Sequence, residues 1–129
     1  MAITLGTAAR NAACNGPVDL VDAAGGQGWI EIYTAGFALL LVSIEMANPA
    51  FGAAAVGVAT AAGMPKSGVA VAGAPSTAAV YKVTDDTLTE LWRGIVSVTG
   101  GGGDLQLDNT SIATGQTVTI TAYTHTAPA

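Results

Sequence analysis

The sequence predicts a mainly β fold, an antiparallel β-sandwich or jelly roll of about seven to eight strands preceded by one N-terminal helix. Three observations predict it. Apolar and polar residues alternate with period two in most runs after Gly28; Gly, Pro, Asn and Asp clusters cut those runs into short segments; and helical spacing of apolar residues is confined to the stretch before Gly25. At 129 residues the chain reads as one domain, with an arm and helix over 1–26 and the sandwich over 27–129. A chain of this size buries about two-thirds of the surface its unfolded form exposes.

The helix spans Thr7 to Ala24. Thr7 can cap it, and Leu5, Ala9, Ala12, Ala13, Leu20 and Val21 recur at roughly helical spacing as its apolar side. Pro17 lacks an N–H and crowds the carbonyl of Ala13, so Gly16-Pro17 predicts a kink or two short helices. Gly25-Gly26 ends the element.

In the first strand Ile30 and Ile32 alternate with Trp29, Glu31 and Tyr33; in the second Leu40, Val42, Ile44 and Met46 alternate with Leu39, Leu41, Ser43 and Glu45. Leu39 and Leu41 fall on the face that should be wet, which marks either an interface or a surface covered by the helix. Asn48-Pro49 starts a turn, Gly57 to Ala61 is a short strand, and Gly63 to Ser76 reads as a long loop. Thr77 to Thr84 and Leu88 to Val98 form a hairpin about Asp85-Asp86-Thr87, with Tyr81, Val83, Trp92, Val96 and Val98 inward and Gly94 marking a bulge or close approach. After the turn Gly100 to Gly103 come a brief strand at Leu105 and Leu107 and a final one from Thr117 to Thr126. That last strand places Val118, Ile120 and Ala122 on one face and Tyr123 and His125 on the other.

Composition narrows the function. Only 10% of positions are charged while half are apolar, against about a quarter charged in an ordinary soluble domain, so the chain reads as one that works packed against other protein. With net charge −5 and four scattered basic residues, Arg10, Lys66, Lys82 and Arg93, it carries no phosphate-tracking surface, and nucleic acid is not an expected partner. The single Cys14 forms no internal disulfide and reads as a buried small apolar residue. Ala47 to Pro65 is free of charge but is Ala-, Gly- and Thr-rich and interrupted by Pro49, so neither a membrane span nor a signal peptide is expected.

Each chemically suggestive residue has a plainer reading. His125, the one histidine, could serve as a general base, but it lies on a Thr-rich strand and no Gly-x-Ser-x-Gly nucleophile turn accompanies it. Asp85-Asp86 sits where a hairpin turn uses Asp for its own backbone, and Asp104 with Asp108 lacks a calcium-loop spacing. The glycine runs at 25–28 and 100–103 lack the residues of a phosphate cradle. Trp29 and Tyr33 share a strand face and could stack on a sugar, although with seven aromatics in the chain packing is the commoner use. The sequence therefore predicts neither catalytic residues, nor a cofactor, nor a metal.

Three stretches carry a resemblance. They are Thr7-Ala8-Ala9-Arg10-Asn11-Ala12-Ala13-Cys14 with Val18-Asp19-Leu20-Val21-Asp22-Ala23; Asn48-Pro49-Ala50-Phe51-Gly52-Ala53-Ala54 with Gly57-Val58-Ala59-Thr60-Ala61; and Gly103-Asp104-Leu105-Gln106-Leu107-Asp108-Asn109-Thr110-Ser111-Ile112 with Gln116-Thr117-Val118. In these the chain resembles small virion proteins of tailed bacteriophages, the capsid cement or decoration proteins. The resemblance implies a non-enzymatic β-sandwich on the capsid surface, made in the host cytoplasm before assembly. Its implied partners are the major capsid protein and further copies of itself as a dimer or trimer. On that reading the reaching segments are the arm Ala2 to Thr7 and the charge-poor stretch Ala47 to Ser76, and the candidate contact residues are Ile3, Leu5, Leu39, Leu41, Phe51, Val56 and Met64. A tail, neck or fibre component and a carbohydrate-binding module are the alternatives.

Overall fold

The computed structural model describes residues 4–23 and 25–126. It is mainly β, with one N-terminal helix and a curled five-stranded sheet. Helix α1 (Thr7–Asp19) begins after Gly6, whose backbone is extended, and runs on through Gly16-Pro17 before tightening into a 3₁₀ turn at Leu20–Asp22. The expected interruption at Pro17 is therefore not observed. Pro17 falls in the last turn of α1, and the carbonyl it leaves without a partner belongs to solvent-exposed Ala13, where water can satisfy it.

The buried side of the helix also differs from the expected one. Val21 and Cys14 are buried as expected, and Val18 with them, whereas Ala9, Ala12, Ala13 and Leu20 face solvent. The reason is polar. Asn11 Oδ1 accepts from Gly57 N–H at 2.7 Å, Asn15 Oδ1 from Ala54 N–H at 2.9 Å, and Asp22 Oδ2 from Ala50 N–H at 2.9 Å. Positions 11, 14, 15, 18, 21 and 22 follow helical spacing, so three of them fill the core while three satisfy backbone donors of the 50–57 loop. The helix is a staple for that loop.

The large sheet has the order β2-β1-β6-β7-β8, with β1 Trp29–Tyr33, β2 Leu40–Glu45, β6 Val80–Thr84, β7 Glu90–Val98 and β8 Leu105–Leu107. Between β2 and β6 lie β3 (Val58–Thr60), β4 (Lys66–Val69) and β5 (Ser76–Thr77); after β8 come β9 (Ser111–Ile112), β10 (Thr117–Ile120) and β11 (Thr124–Thr126). These form three two-stranded antiparallel pairs, β4 with β10, β3 with β11 and β5 with β9. The described residues thus hold eleven strands, several of only two or three residues, where seven to eight were expected. The expected loop from Gly63 to Ser76 contains β4, and the expected final strand divides at Thr121–Tyr123, so that Tyr123 is buried in place of Ala122.

Ile30 and Ile32, with Val42 and Ile44, point into one core together with Tyr81, Val83, Val96, Leu105, Leu107, Ile112, Val118 and Ile120. Leu41 joins them. Between Ile32↔Val42 and Tyr33↔Leu40 the register slips, which makes Leu41 the extra residue of a β-bulge and turns its side chain inward to zero exposure. A second slip, between Val83↔Trp92 and Thr84↔Glu90, bulges β7 at Leu91. At Gly94 the expected close approach is present: a Cβ there would lie 2.7 Å from Tyr81 Cε1. Val98, expected inward, is exposed at the end of β7.

One pairing departs from the antiparallel expectation. β8 runs parallel to β7, with Val96 opposite Leu105 and Val98 opposite Leu107. Parallel neighbours ordinarily need a connection of about a dozen residues or more, yet here Thr99–Asp104 suffices. Gly100 and Gly102 take positive φ, Gly100 N–H is accepted by Gln106 Oε1, and Gly103 N–H by Ser97 Oγ, so the glycine run folds back on itself within one tight loop.

Candidate functional site

Among the described residues, function could reside in a polar-aromatic cleft and in a set of exposed apolar side chains. The cleft, about 360 Å³, is lined by Tyr81, Trp92, Arg93, Asp104, Tyr123, Thr124, His125 and Thr126. β6 and β7 present Tyr81 and Trp92, while Tyr123, in the break between β10 and β11, and His125, in β11, stand opposite them. Tyr81 and Tyr123 meet hydroxyl to hydroxyl at 2.7 Å, and Trp92 Nε1 donates to Tyr123 Oη at 2.8 Å. Burial is the main force that raises the pKa of both phenols.

His125 packs at a tilt against Trp92 with ring centres 4.5 Å apart, while Phe51 approaches Trp92 at 6.1 Å. Burial also lowers the His125 pKa from 6.5. Its backbone carbonyl accepts the Cys14 thiol at 3.2 Å, which ties α1 to β11, and Cys14 is itself fully buried as expected. Asp104 Oδ2 accepts Ile95 N–H at 3.0 Å, whereas Asp108, exposed, receives the Thr99 hydroxyl at 3.4 Å; the structure does not bring the two carboxylates to one ligand.

The other sequence candidates occupy structural positions. Asp85 Oδ1 accepts Thr87 N–H at 2.9 Å, the Thr87 hydroxyl at 2.8 Å and Thr89 N–H at 2.9 Å, closing the β6–β7 hairpin. The Thr87 hydroxyl and the Thr89 amide hold its carboxyl below the usual carboxylate range. Trp29 and Tyr33 are partly buried on the outer face of the sheet, on either side of Glu31, which lies 3.7 Å from Lys82 Nζ. Lys82 also sits 5.2 Å above the Tyr33 ring, and Tyr33 packs on Phe37. The Tyr33 ring is thus already engaged, and the two aromatics do not form an open pair.

The candidate contact residues divide sharply. Leu41 and Phe51 are core: the bulge buries the first, and the second packs edge-on against Tyr123 at 6.0 Å. Leu41 has no accessible surface and Phe51 is only 9% exposed, with its ring spent on core contacts, so neither side chain is presented to a partner. Leu5 and Met64 are partly buried, Met64 against the core. Leu39 is 41% exposed and Val56 61%. Ile3 lies outside the described residues. Sequence reasoning passed over Val69 and Val71, which are 59% and 66% exposed, and Ile95 on the outer face of β7. Val69 and Val71 flank buried Ala70 with period two, a signal present in the stretch expected to be a loop.

Val56 stands out further. It sits at φ 52° beside Gly57 at φ 76°, in a two-residue turn closed by Ala55 N–H to Val58 O at 2.9 Å and Val58 N–H to Ala55 O at 3.0 Å. A β-branched residue is a poor choice for the left-handed region, and here its side chain gains little burial in return. Among the described residues no helix is long and apolar enough to cross a membrane. Comparison with known proteins finds no match: no family model, no curated protein and no solved structure is similar to this chain.

Proposed function

We propose that this chain is a structural virion protein that binds the outside of a tailed-phage capsid and cements neighbouring capsomers, with the major capsid protein and further copies of itself as partners. One observation carries the reading. In the stretch Ala47 to Ser76, whose one charged residue is Lys66, the side chains of Val56, Val69 and Val71 stand out into solvent, and Val56 does so at the cost of backbone strain. Isolated exposed valines need no explanation, but a strained one within a charge-poor stretch is well explained by a contact made elsewhere. The hydrogen bonds that the 50–57 loop donates to Asn11, Asn15 and Asp22 support this, because they tie the loop to the helix and lower the entropy lost when it docks.

The finer architecture belongs to the same proposal: β4–β10 and the smaller pairs act as the second layer of a sandwich against the five-stranded sheet, sharing its core. Such a clip works by area and repetition. Apolar burial of roughly 25 cal/mol per Å², discounted for association entropy, becomes large when a contact recurs over a whole shell. It calls for neither catalysis, cofactor, nucleic-acid binding nor membrane insertion.

Quantitative mass spectrometry of purified particles tests the proposal. Hundreds of copies per particle are expected for a capsid cement. A handful of copies per particle moves the protein to the tail, neck or fibre, and absence from particles overturns the reading altogether.

A further inference from the structure

The cleft between β7 and β11 carries an imbalance of hydrogen-bonding groups. Three polar hydrogens converge there: the Trp92 indole N–H and the hydroxyls of Tyr81 and Tyr123. Two are used, one from Trp92 to Tyr123 at 2.8 Å and one between the phenols at 2.7 Å. Whichever phenol donates to the other, one hydroxyl hydrogen remains, and among the described residues no hydrogen bond takes it up. Both tyrosines are otherwise buried and line the cleft wall, so that donor is left to whatever occupies the cleft.

An acceptor with spare capacity stands next to it. Asp104 spends Oδ2 on Ile95 N–H, and among the described residues nothing bonds its Oδ1. Gly94, having no side chain, lets the two come close. A Cβ on Gly94 would lie 2.8 Å from Tyr81 Oη and 2.9 Å from Asp104 Oδ2, so phenol and carboxylate stand side by side over Gly94, near enough for one ligand to reach both. Of the charged residues lining the cleft, Arg93 turns its guanidinium away to Glu90 at 2.8 Å and over Phe37 at 4.4 Å. The charge that faces the cleft is therefore the Asp104 carboxylate.

These groups select a ligand class. An anion is repelled by Asp104, and an ammonium has no lone pair for the phenol. A hydroxyl does both jobs, accepting from the phenol while donating to the carboxylate. His125 already covers Trp92, so recognition rests on hydroxyl groups more than on stacking. The volume of about 360 Å³ is that of a small-molecule site, and Thr124 and Thr126 add hydroxyls at its rim. We infer that this cleft binds a neutral polyhydroxylated ring, a saccharide, anchored between Tyr81 and Asp104. The site is separate from Trp29 and Tyr33 and is independent of the capsid reading.

The test uses the full chain carrying Trp29→Phe, which leaves Trp92 as the sole indole. Its fluorescence is followed during titration with the methyl glycosides of glucose, galactose, mannose and N-acetylglucosamine. A saturable change in the millimolar range is expected for at least one glycoside, weakened about tenfold or more by Asp104→Asn, since a bond to a charged group is lost. Asn at 104 still accepts Ile95 N–H, so Tm should hold. Amide shift mapping on the unsubstituted protein gives a second readout, with shifts centred on Gly94, the Trp92 indole and Thr124–Thr126. Flat titrations across the panel mean a cleft that holds water only and overturn the inference, as does saturable binding that Asp104→Asn leaves unchanged or that maps elsewhere.

Discussion

Val56→Asn should make the protein more stable and a weaker binder at once. Val56 occupies the first central position of a turn in which both central residues have positive φ, 52° and 76°. The left-handed region costs an L-residue with a full side chain roughly 1–2 kcal/mol, and β-branching places Val at the unfavourable end. Asn tolerates that region, and Asn-Gly is the preferred pair for such a turn. Because Val56 is 61% exposed, removing it forfeits little burial. The net gain should be about 1 kcal/mol, a Tm rise of roughly 4 °C for a chain of this size. Urea unfolding at equilibrium measures it as a higher midpoint at constant slope. A midpoint that falls or does not move would show that the turn is unstrained, or that Val56 is held by contacts within the monomer, and the reasoning about Val56 would fail.

Leu41→Ala should cost about 2–5 kcal/mol because it empties a fully buried site, whereas Leu39→Ala, two residues away and 41% exposed, should change stability by less than about 0.5 kcal/mol; similar losses for the two would contradict the bulge. Gly28→Ala would drive a Cβ into Val21 Cγ1 and within 2.6 Å of the Thr84 carbonyl, so a loss of about 3 kcal/mol or a failure to fold is expected, and wild-type stability would refute that packing. The Asp85 carboxyl is depressed by its hydrogen bonds, so its contribution is present above the ordinary carboxylate range and lost as pH falls through its folded pKa. Asp85→Asn should flatten the acid limb of a Tm-against-pH profile, and an unchanged profile would count against the turn. Burial depresses the His125 pKa, so its contribution is complete above 6.5 and is lost as pH falls below it toward the folded value. Its lone imidazole signal should titrate below 6.5 in NMR, and a titration above that value would place the ring in solvent or beside an anion.

Period-two alternation made the strands legible wherever one face alone is buried: Ile30 and Ile32, Val42 and Ile44, Tyr81 and Val83, and Val118 and Ile120 all point inward as read. The Asp85 turn was legible too, since a side chain that bonds its own backbone leaves a local signature. What escaped depends on non-local geometry. The bulge that carries Leu41 inward is a one-residue slip of register with no local mark. The buried side of α1 was misread because Asn11, Asn15 and Asp22 look like solvent-facing residues, while in the fold they bond the backbone of a loop more than twenty residues away. β4 hid in a Gly- and Pro-rich stretch because its pairing partner β10 lies some fifty residues downstream. The cleft was invisible in sequence, since Tyr81, Trp92, Asp104 and Tyr123 come from four separate segments, although Gly94 carried the hint of a close approach.

The central claim, that exposed apolar side chains on a charge-poor chain form an adhesive surface for a capsid, is tested most directly by adding purified protein back to phage capsids assembled without it. The wild-type chain should bind in a saturable manner at a large fixed number of sites per particle. Val56→Asn and the pair Val69→Ser with Val71→Ser, both folded, should bind more weakly. Absence of saturable binding by the wild-type chain, or binding that these substitutions leave unaltered, would contradict the account.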